Sequence, residues 1–338
     1  MIIVFKPNSP ANEIERVEKM VAEMGYEPRL IKGVEHTVLG AVGDENVHMS
    51  LEVLKNLPYV ESVMPIQKKY KLASREFQRE NSEFKIGNEI IGGQKFQIIA
   101  GPCSIESAEQ METAAKLLTA AGAGILRGGA YKPRTSPYDF QGLGQKGLDI
   151  LQDIKNRYHV PVVTEVVGIP TLKNVAEVAD CIQIGARNCQ NYNLLESVAE
   201  AGRPVLLKRG MATTIGEWLN AAEYLLVHGC RSVILCERGI RTFETATRNT
   251  LDISAVAVAK KESHLPVVVD PSHAAGKLEY VLPLARAAAA AGADGIIVES
   301  HPEPVKALSD AAQQIPCSMF KAFMEALRPI VEAMGRTL

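Results

Sequence analysis

Phe96-Gln97-Ile98-Ile99-Ala100-Gly101-Pro102-Cys103-Ser104 is the stretch that decides the fold: an apolar run stops at a Gly-Pro break, and a potential metal ligand stands just past it. The same pattern returns down the chain. Apolar runs at Gly124 to Arg127, Pro161 to Glu165, Cys181 to Ile184, Pro204 to Lys208, Ser232 to Glu237, Pro266 to Asp270 and Gly295 to Glu299 alternate with amphipathic helical segments. Eight strand and helix units predict an α/β protein with a (β/α)8 TIM barrel over residues 84–338 that opens on a hairpin from Phe84 to Ile91 around Gly87-Asn88. A doubly wound open sheet is the alternative. The number of units, and the roughly 250 residues typical of such barrels, favour closure.

Upstream, Ile2 to Phe5 reads as a strand, and Ile14, Val17, Val21 and Met24 fall at helical spacing after Asn8-Ser9-Pro10. Glu27 to Lys32 and His36 to Val42 read as a strand pair joined near Gly33, Val47 to Leu57 as a short helix and Tyr59 to Ile66 as a last strand. This βαββαβ order predicts a small ferredoxin-like, ACT-like domain over residues 1–67. The polar stretch 68–83, carrying Lys68, Lys69, Lys71, Arg75, Glu76, Arg79 and Glu80, reads as a linker.

Composition narrows the class. With 338 residues, 46% of them hydrophobic, the chain can bury a large core, and Lys+Arg 37 against Asp+Glu 39 leaves a formal net charge of -2. No basic excess points to nucleic acid or an anionic membrane. The six cysteines show no CxxC spacing and several lie in apolar runs, which predicts a reducing, cytoplasmic setting. Met1 to Pro7 is too short for a signal-peptide core, and the alanine-rich run Ala287 to Ala291 is too short to span a bilayer.

Function should sit at the carboxyl ends of the strands, where barrel enzymes carry their chemistry. Strand one runs into Cys103, two into Arg127 with Lys132-Pro133-Arg134-Thr135-Ser136, and three into Glu165. Four reaches Gly185-Ala186-Arg187-Asn188, five Lys208-Arg209, six Glu237-Arg238-Gly239, seven Asp270-Pro271-Ser272-His273 and eight Glu299-Ser300-His301. One such Arg or Lys is ordinarily a solvated loop charge or an ion-pair partner. Arg127, Lys132, Arg134, Arg187, Lys208 and Arg238 together on one rim repel one another and call for anionic substrates, phosphates or carboxylates.

Strands one, seven and eight are neighbours in a closed barrel, so Cys103, His273 and Glu299 converge, with Asp310 following in a loop. Alone, Cys103 reads as a buried small residue and His273 as a hydrogen-bonded loop histidine. Together, a thiolate, an imidazole and two carboxylates suit one borderline divalent ion, manganese, iron, cobalt or zinc, better than calcium or magnesium.

At GPCS (101–104), LRGGAYKPRTSP (126–137), QIGARN (183–188), LLKRG (206–210), CERGIRTF (236–243), DPSH (270–273) and VESHPEPVKALSDA (298–311) the sequence resembles the 3-deoxy-D-arabino-heptulosonate 7-phosphate (DAHP) synthase family. The motifs span the whole barrel, and the small domain resembles the regulatory module of one subgroup. The resemblance implies condensation of phosphoenolpyruvate with erythrose 4-phosphate, releasing phosphate, at the entry to aromatic amino acid biosynthesis. By matched motif, Arg127, Lys132, Arg187, Lys208 and Arg238 would hold phosphoenolpyruvate beside Ala186, while Arg134, Thr135 and Ser136 would receive the aldose phosphate. Cys103, His273, Glu299 and Asp310 would bind the metal, and Lys132, Glu165 and His273 would be catalytic, with Lys132 protonating the developing alkoxide and Glu165 orienting water. Feedback by tyrosine or phenylalanine at the small domain and a homotetramer are also implied; the His-x-Ser pair of related effector sites is replaced here by Arg29 and Ile31.

Three rivals stand beside this reading. The related 3-deoxy-D-manno-octulosonate 8-phosphate synthases take arabinose 5-phosphate, but typically carry a Lys-Ala-Asn-Arg-Ser-type segment where this chain has Lys132 to Ser136. A non-catalytic regulatory barrel would lack a ligand or a phosphate-binding cation, and none is missing. A Schiff-base aldolase would use Lys208. No sequence feature supports association with chorismate mutase.

Overall fold

The structure is a computed structural model and describes residues 1–32, 37–43, 48–64, 70–134 and 136–338; the expected turn at Gly33 and the site residue Thr135 lie outside them. The chain divides into two compact units, Met1–Lys69 and Tyr70–Leu338.

In the first unit, β1 (Ile2–Phe5), α1 (Ala11–Glu23), β2 (Glu27–Lys32) and β3 (Thr37–Val42) are followed by a 3-10 helix, Leu51–Asn56, and β4 (Val60–Met64). The sheet order is β2-β3-β1-β4, with β1 antiparallel to both neighbours, as in a ferredoxin-like fold. Ile3 and Phe5 pack with Ile14, Val17 and Val21 of α1 and with Leu51 and Leu54. The expected helix at Val47 to Leu57 is this shorter 3-10 turn. Only Leu51 and Leu54, three apart, are buried, and Leu57 precedes Pro58 and is extended at φ -77°, ψ 141°. Arg29 is exposed and ion-paired with Glu27, and Ile31 is 61% exposed.

In the second unit, the segment read as a linker is fastened from Tyr70 onward. Leu72 and Ala73 donate backbone N–H groups to Glu223 at 2.9 and 2.8 Å, Arg75 Nε donates to Lys260 O at 3.2 Å, and Ser82 N donates to His264 O at 2.8 Å. Then come the hairpin strands β5 (Phe84–Ile86) and β6 (Glu89–Ile91), β7 (Gln97–Gly101), α2 (Ala108–Ala120), β8 (Ile125–Arg127), α3 (Gln145–Tyr158), β9 (Val162–Val166) and α4 (Ile169–Val178). The series continues with β10 (Cys181–Ile184), α5 (Tyr192–Glu200), β11 (Val205–Lys208), α6 (Ile215–Val227), β12 (Val233–Glu237), α7 (Ile253–Glu262) and β13 (Val267–Val269). A short α8 (Pro271–Ala275), α9 (Leu278–Ala290), β14 (Gly295–His301), an edge strand β15 (Ile315–Pro316) and α10 (Phe320–Ala333) complete it.

Strands β7 to β13 pair in sequence and in parallel, and β14 pairs with both β13 and β7, so the barrel closes. Period-two alternation divides each strand between two cores. Ile98, Ala100, Leu126, Val162 and Leu207 pack under the helices, while Ile99, Ile125, Val163, Cys181, Leu206, Ile234, Val268 and Ile297 fill the barrel. Ile86 and Ile91 of the hairpin join that inner cluster. Filling it with apolar side chains contributes about 1.5–3 kcal/mol for each large residue fully buried.

Candidate functional site

Two residues beyond the inner apolar layer, the same alternation delivers a different set of side chains. Ile125 is followed by Arg127, Val163 by Glu165, Cys181 by Gln183, Leu206 by Lys208, Val268 by Asp270 and Ile297 by Glu299. These polar groups form the floor of the site, and each finds a partner. Arg127 Nη1 donates to Glu299 Oε1 at 2.7 Å, Gln183 Nε2 donates to Glu165 Oε2 at 3.0 Å, and Lys208 Nζ donates to Asp270. Gly101 lets the first loop approach: a Cβ there would stand 2.0 Å from the Arg127 carbonyl oxygen.

Above the floor lies a cavity of ≈ 250 Å³ lined by Lys132, Arg134, Arg187, Lys208, Arg238 and Arg248, with Ala186, Gln183, Glu165, Asp139, His273 and Asp310. Five of the six expected cations line it, and Arg127 lies beneath, held by Glu299. Ser136 is on the same loop outside the lining, its Oγ accepting from Tyr138 N at 3.3 Å. Arg238 is 5% exposed, and its Nε and Nη1 have no partner among the described residues; nor has Arg134 Nη2. Burial lowers the Arg238 pKa, with Arg248 adding to the shift, and the opposing pull of Asp270 does not restore it. A guanidinium left in this state is a seat for an anion.

Beside the cations, ligand atoms of Cys103, Glu299 and Asp310 all lie within 4.8 Å of one another. Cys103 Sγ is 3.5 Å from Asp310 Oδ2, and His273 Nε2 is 3.5 Å from Glu299 Oε1 and 3.8 Å from Asp310 Oδ2. His273 Nδ1 is 2.7 Å from Asp270 Oδ2, so the ring donates there and leaves the Nε2 lone pair facing the carboxylates. Burial lowers the His273 pKa below its ordinary 6.5, keeping the imidazole neutral and able to ligate. Burial would raise the Glu299 carboxyl, but His273 whenever it is protonated, and Arg127 and Lys132 at all times, outweigh it and hold the group ionised, far below its usual range. Cys103 is pushed up to about 12 by burial and by Glu299, against the pull of Lys132, whose Nζ is 3.1 Å from Sγ.

Asp310 reaches this cluster from a loop knotted to the first one. Gln314 Oε1 accepts from Cys103 N at 3.2 Å, Ser309 Oγ is 2.7 Å from Ser104 Oγ, and Leu308 N donates to Glu106 at 2.9 Å. Asp310 itself is left-handed at φ 50°. Asp270, Gln183, Arg248, Gln313 and Gln314 were not picked out as site residues by sequence. Asp270 and Gln183 carried a usable signal in the period-two step from the inner layer, whereas Arg248, Gln313 and Gln314 lie in loops with no such period.

A closed barrel with a cation-lined rim cavity next to a cysteine, histidine and carboxylate cluster is an enzyme built for anionic substrates. Residues 73–334 match the family model described as the DAHP synthetase I family, and residues 1–68 match the DAHP synthase ferredoxin-like domain. The phospho-2-dehydro-3-deoxyheptonate aldolase of Thermotoga maritima is 50% identical over 335 residues, covering 99% of both chains. Its crystal structure, described as a DAHP synthase, superposes with a TM-score of 0.92 over 99% of this chain and 98% of that one. The 2-dehydro-3-deoxyphosphooctonate aldolase of Thiobacillus denitrificans is 36% identical over 259 residues, covering 70% of this chain and 90% of that protein. The chain belongs to the DAHP synthase family and carries that family's ferredoxin-like domain. It is an aldolase of the transferase type.

Proposed function

We propose that this enzyme condenses phosphoenolpyruvate with erythrose 4-phosphate in a metal-dependent, aldol-type reaction, giving DAHP and inorganic phosphate at the entry of the shikimate pathway to aromatic amino acids. The observation that carries the reading is the unpartnered guanidinium edge of Arg238, buried in the wall of a cation-rich cavity beside the Cys103, Glu299 and Asp310 cluster.

Arg238, Arg187 and Lys132 grip the phosphate and carboxylate of phosphoenolpyruvate. Arg127 and Lys208 are already paired with Glu299 and Asp270, so their part is mainly the field they set beneath it. Arg134, with Thr135 and Ser136, receives the aldose phosphate, and Ala186 lines the same cavity. Cys103, His273, Glu299 and Asp310 fit one borderline divalent ion, manganese, iron, cobalt or zinc, because they offer one soft donor, one imidazole with its lone pair free and two carboxylates. Such an ion, when bound, polarises the aldehyde carbonyl as a Lewis acid. Lys132 Nζ stands beside these ligands and delivers the proton to the developing alkoxide. Glu165, fixed by Gln183, orients the water that attacks the cationic carbon of the adduct.

Residues 1–67 serve as the regulatory domain, 68–83 as the connection and 84–338 as the catalytic barrel, in a homotetramer of the cytoplasm. Among the described residues no helix is long and apolar enough to cross a membrane. Tyrosine or phenylalanine acts at the small domain, and deleting residues 1–70 abolishes that inhibition; unchanged inhibition would remove the role.

The test measures phosphate release from phosphoenolpyruvate with erythrose 4-phosphate and with arabinose 5-phosphate, with and without a chelator. Release with the four-carbon sugar, abolished by chelation and restored by manganese, is expected. Turnover of arabinose 5-phosphate in its place would move the chain to the octulosonate reading, and indifference to the chelator would remove the metal. Borohydride should trap no substrate on Lys208, whose Nζ is held by a buried carboxylate rather than free in an apolar pocket.

A further inference from the structure

Arg248 lies outside every strand and outside every motif quoted above, yet it touches the supports of three of the four proposed metal ligands. Its Nη1 is 3.2 Å from Asp310 Oδ1 and donates to Gln313 Oε1 at 3.1 Å. Gln313 in turn donates from Nε2 to Glu299 Oε2 at 2.6 Å. One guanidinium nitrogen thus serves two carboxylates, as hydrogen-bond donor to the Gln313 amide oxygen and as ion-pair partner of Asp310. It meets the outer oxygen of Asp310 directly, and it reaches Glu299 through the amide that occupies the outer oxygen there.

The consequence falls on the other oxygen of each carboxylate, of which Glu299 Oε1 also accepts from Arg127 Nη1 at 2.7 Å. Asp310 Oδ2 faces Cys103 Sγ at 3.5 Å and His273 Nε2 at 3.8 Å, while Glu299 Oε1 faces His273 Nε2 at 3.5 Å. The backbone carries the same lacing to the third ligand. Arg248 N donates to Ala275 O at 3.1 Å, Asn249 N donates to Ala274 O at 2.9 Å, and Asn249 Nδ2 donates to His273 O at 2.9 Å. Gly276, at φ +70°, permits this approach, since a Cβ there would stand 2.5 Å from Arg248 Cβ. Asp310 is left-handed, a conformation that costs a non-glycine residue energy and persists only where its surroundings enforce it.

We infer that Arg248, acting with Gln313, is a positioning residue for the metal centre, fixing which oxygen of Asp310 and of Glu299 is presented to the ion and holding the Asp310 loop against the His273 helix. The inference rests on the reading of Cys103, His273, Glu299 and Asp310 as metal ligands. Outer partners of this kind typically govern metal affinity by about 10- to 100-fold.

The experiment strips the full-length protein of metal and titrates it with manganese against a chromophoric chelator, and with cobalt while following its visible spectrum. Arg248→Ala and Gln313→Leu should each weaken manganese binding about 10- to 100-fold and shift the cobalt bands, and Gln313→Leu, outside the cavity lining, should leave KM for both substrates unchanged at saturating metal. Arg248→Lys keeps the charge but not the planar guanidinium that reaches Asp310 and Gln313 together, and should fall between Arg248→Ala and the wild type; with Gln313→Leu it carries the comparison if Arg248→Ala does not fold. Wild-type affinity in Arg248→Ala together with weakened binding in Asp310→Ala overturns the positioning role and leaves the metal site standing. Wild-type affinity in Asp310→Ala overturns both. A raised KM for the aldose phosphate at unchanged metal affinity overturns it in favour of a substrate contact.

Discussion

Lys132 Nζ donates to Cys103 twice, to the sulfur and to the backbone carbonyl oxygen, each at 3.1 Å. The proposed proton donor is therefore built onto the proposed metal ligand, and its position depends on the Gly101-Pro102-Cys103 loop rather than on its own strand. Lys132→Met should lower kcat by about 10²- to 10⁴-fold, the usual worth of a general acid, while the protein still binds manganese. Steady-state phosphate release and metal titration on the same preparation check it. A variant within tenfold of wild-type kcat would remove Lys132 as the donor.

Arg238→Met should separate stability from binding. The native guanidinium is buried with two nitrogens unpartnered, a state costing about 1–3 kcal/mol per unsatisfied group in the substrate-free enzyme. Its removal should raise the thermal midpoint of the barrel by a few degrees and weaken phosphoenolpyruvate binding at least tenfold. Calorimetry with and without the substrate reads both. A lower midpoint would mean that the arginine is structural.

Glu165→Gln leaves the side-chain shape and the contact with Gln183 within reach, and removes only the charge. Phosphoenolpyruvate affinity should be kept while kcat falls about 10²-fold or more. Full turnover would take Glu165 out of the mechanism.

His264 ties the segment from Tyr70 to Ser82 onto the barrel. Its Nε2 is 2.7 Å from Leu72 O, which can only accept, so the proton is on Nε2 and Nδ1 accepts from Ser82 Oγ at 2.7 Å. Burial lowers its pKa below 6.5, with Arg75 adding to the shift. As pH drops below 6.5, the unfolded chain takes up a proton that the folded chain refuses, so stability present above that pH declines until the folded pKa is passed. The thermal midpoint should fall between pH 7 and 5.5, and less steeply in His264→Asn. Equal slopes would acquit this histidine.

The outline of the barrel was legible because strands buried on both faces write themselves as apolar runs, and the structure moved their ends by only a residue or two. Site residues that continue a strand, such as Glu165, Lys208 and Glu299, were legible for the same reason. The helix expected at Val47 to Leu57 was not, because two buried leucines three apart satisfy a 3-10 turn as well as an α-helix. Asp310 was named, but the path of its loop was out of reach: Cys103, Ser104 and Glu106 hold it by contacts that join residues some two hundred positions apart.

By itself the sequence determined the alternation of strand and helix, the residues at each strand's carboxyl end and hence the kinds of chemistry gathered on one rim, since local periodicity and composition suffice for that. Only the tertiary structure decided which cations are free and which are already neutralised. Arg127 and Lys208 look like Arg238 in the chain, but closing the barrel puts Glu299 and Asp270 against the first two and leaves Nε and Nη1 of the third without a partner among the described residues. Partnership across a barrel is set by three-dimensional distance, and no spacing along the chain encodes it.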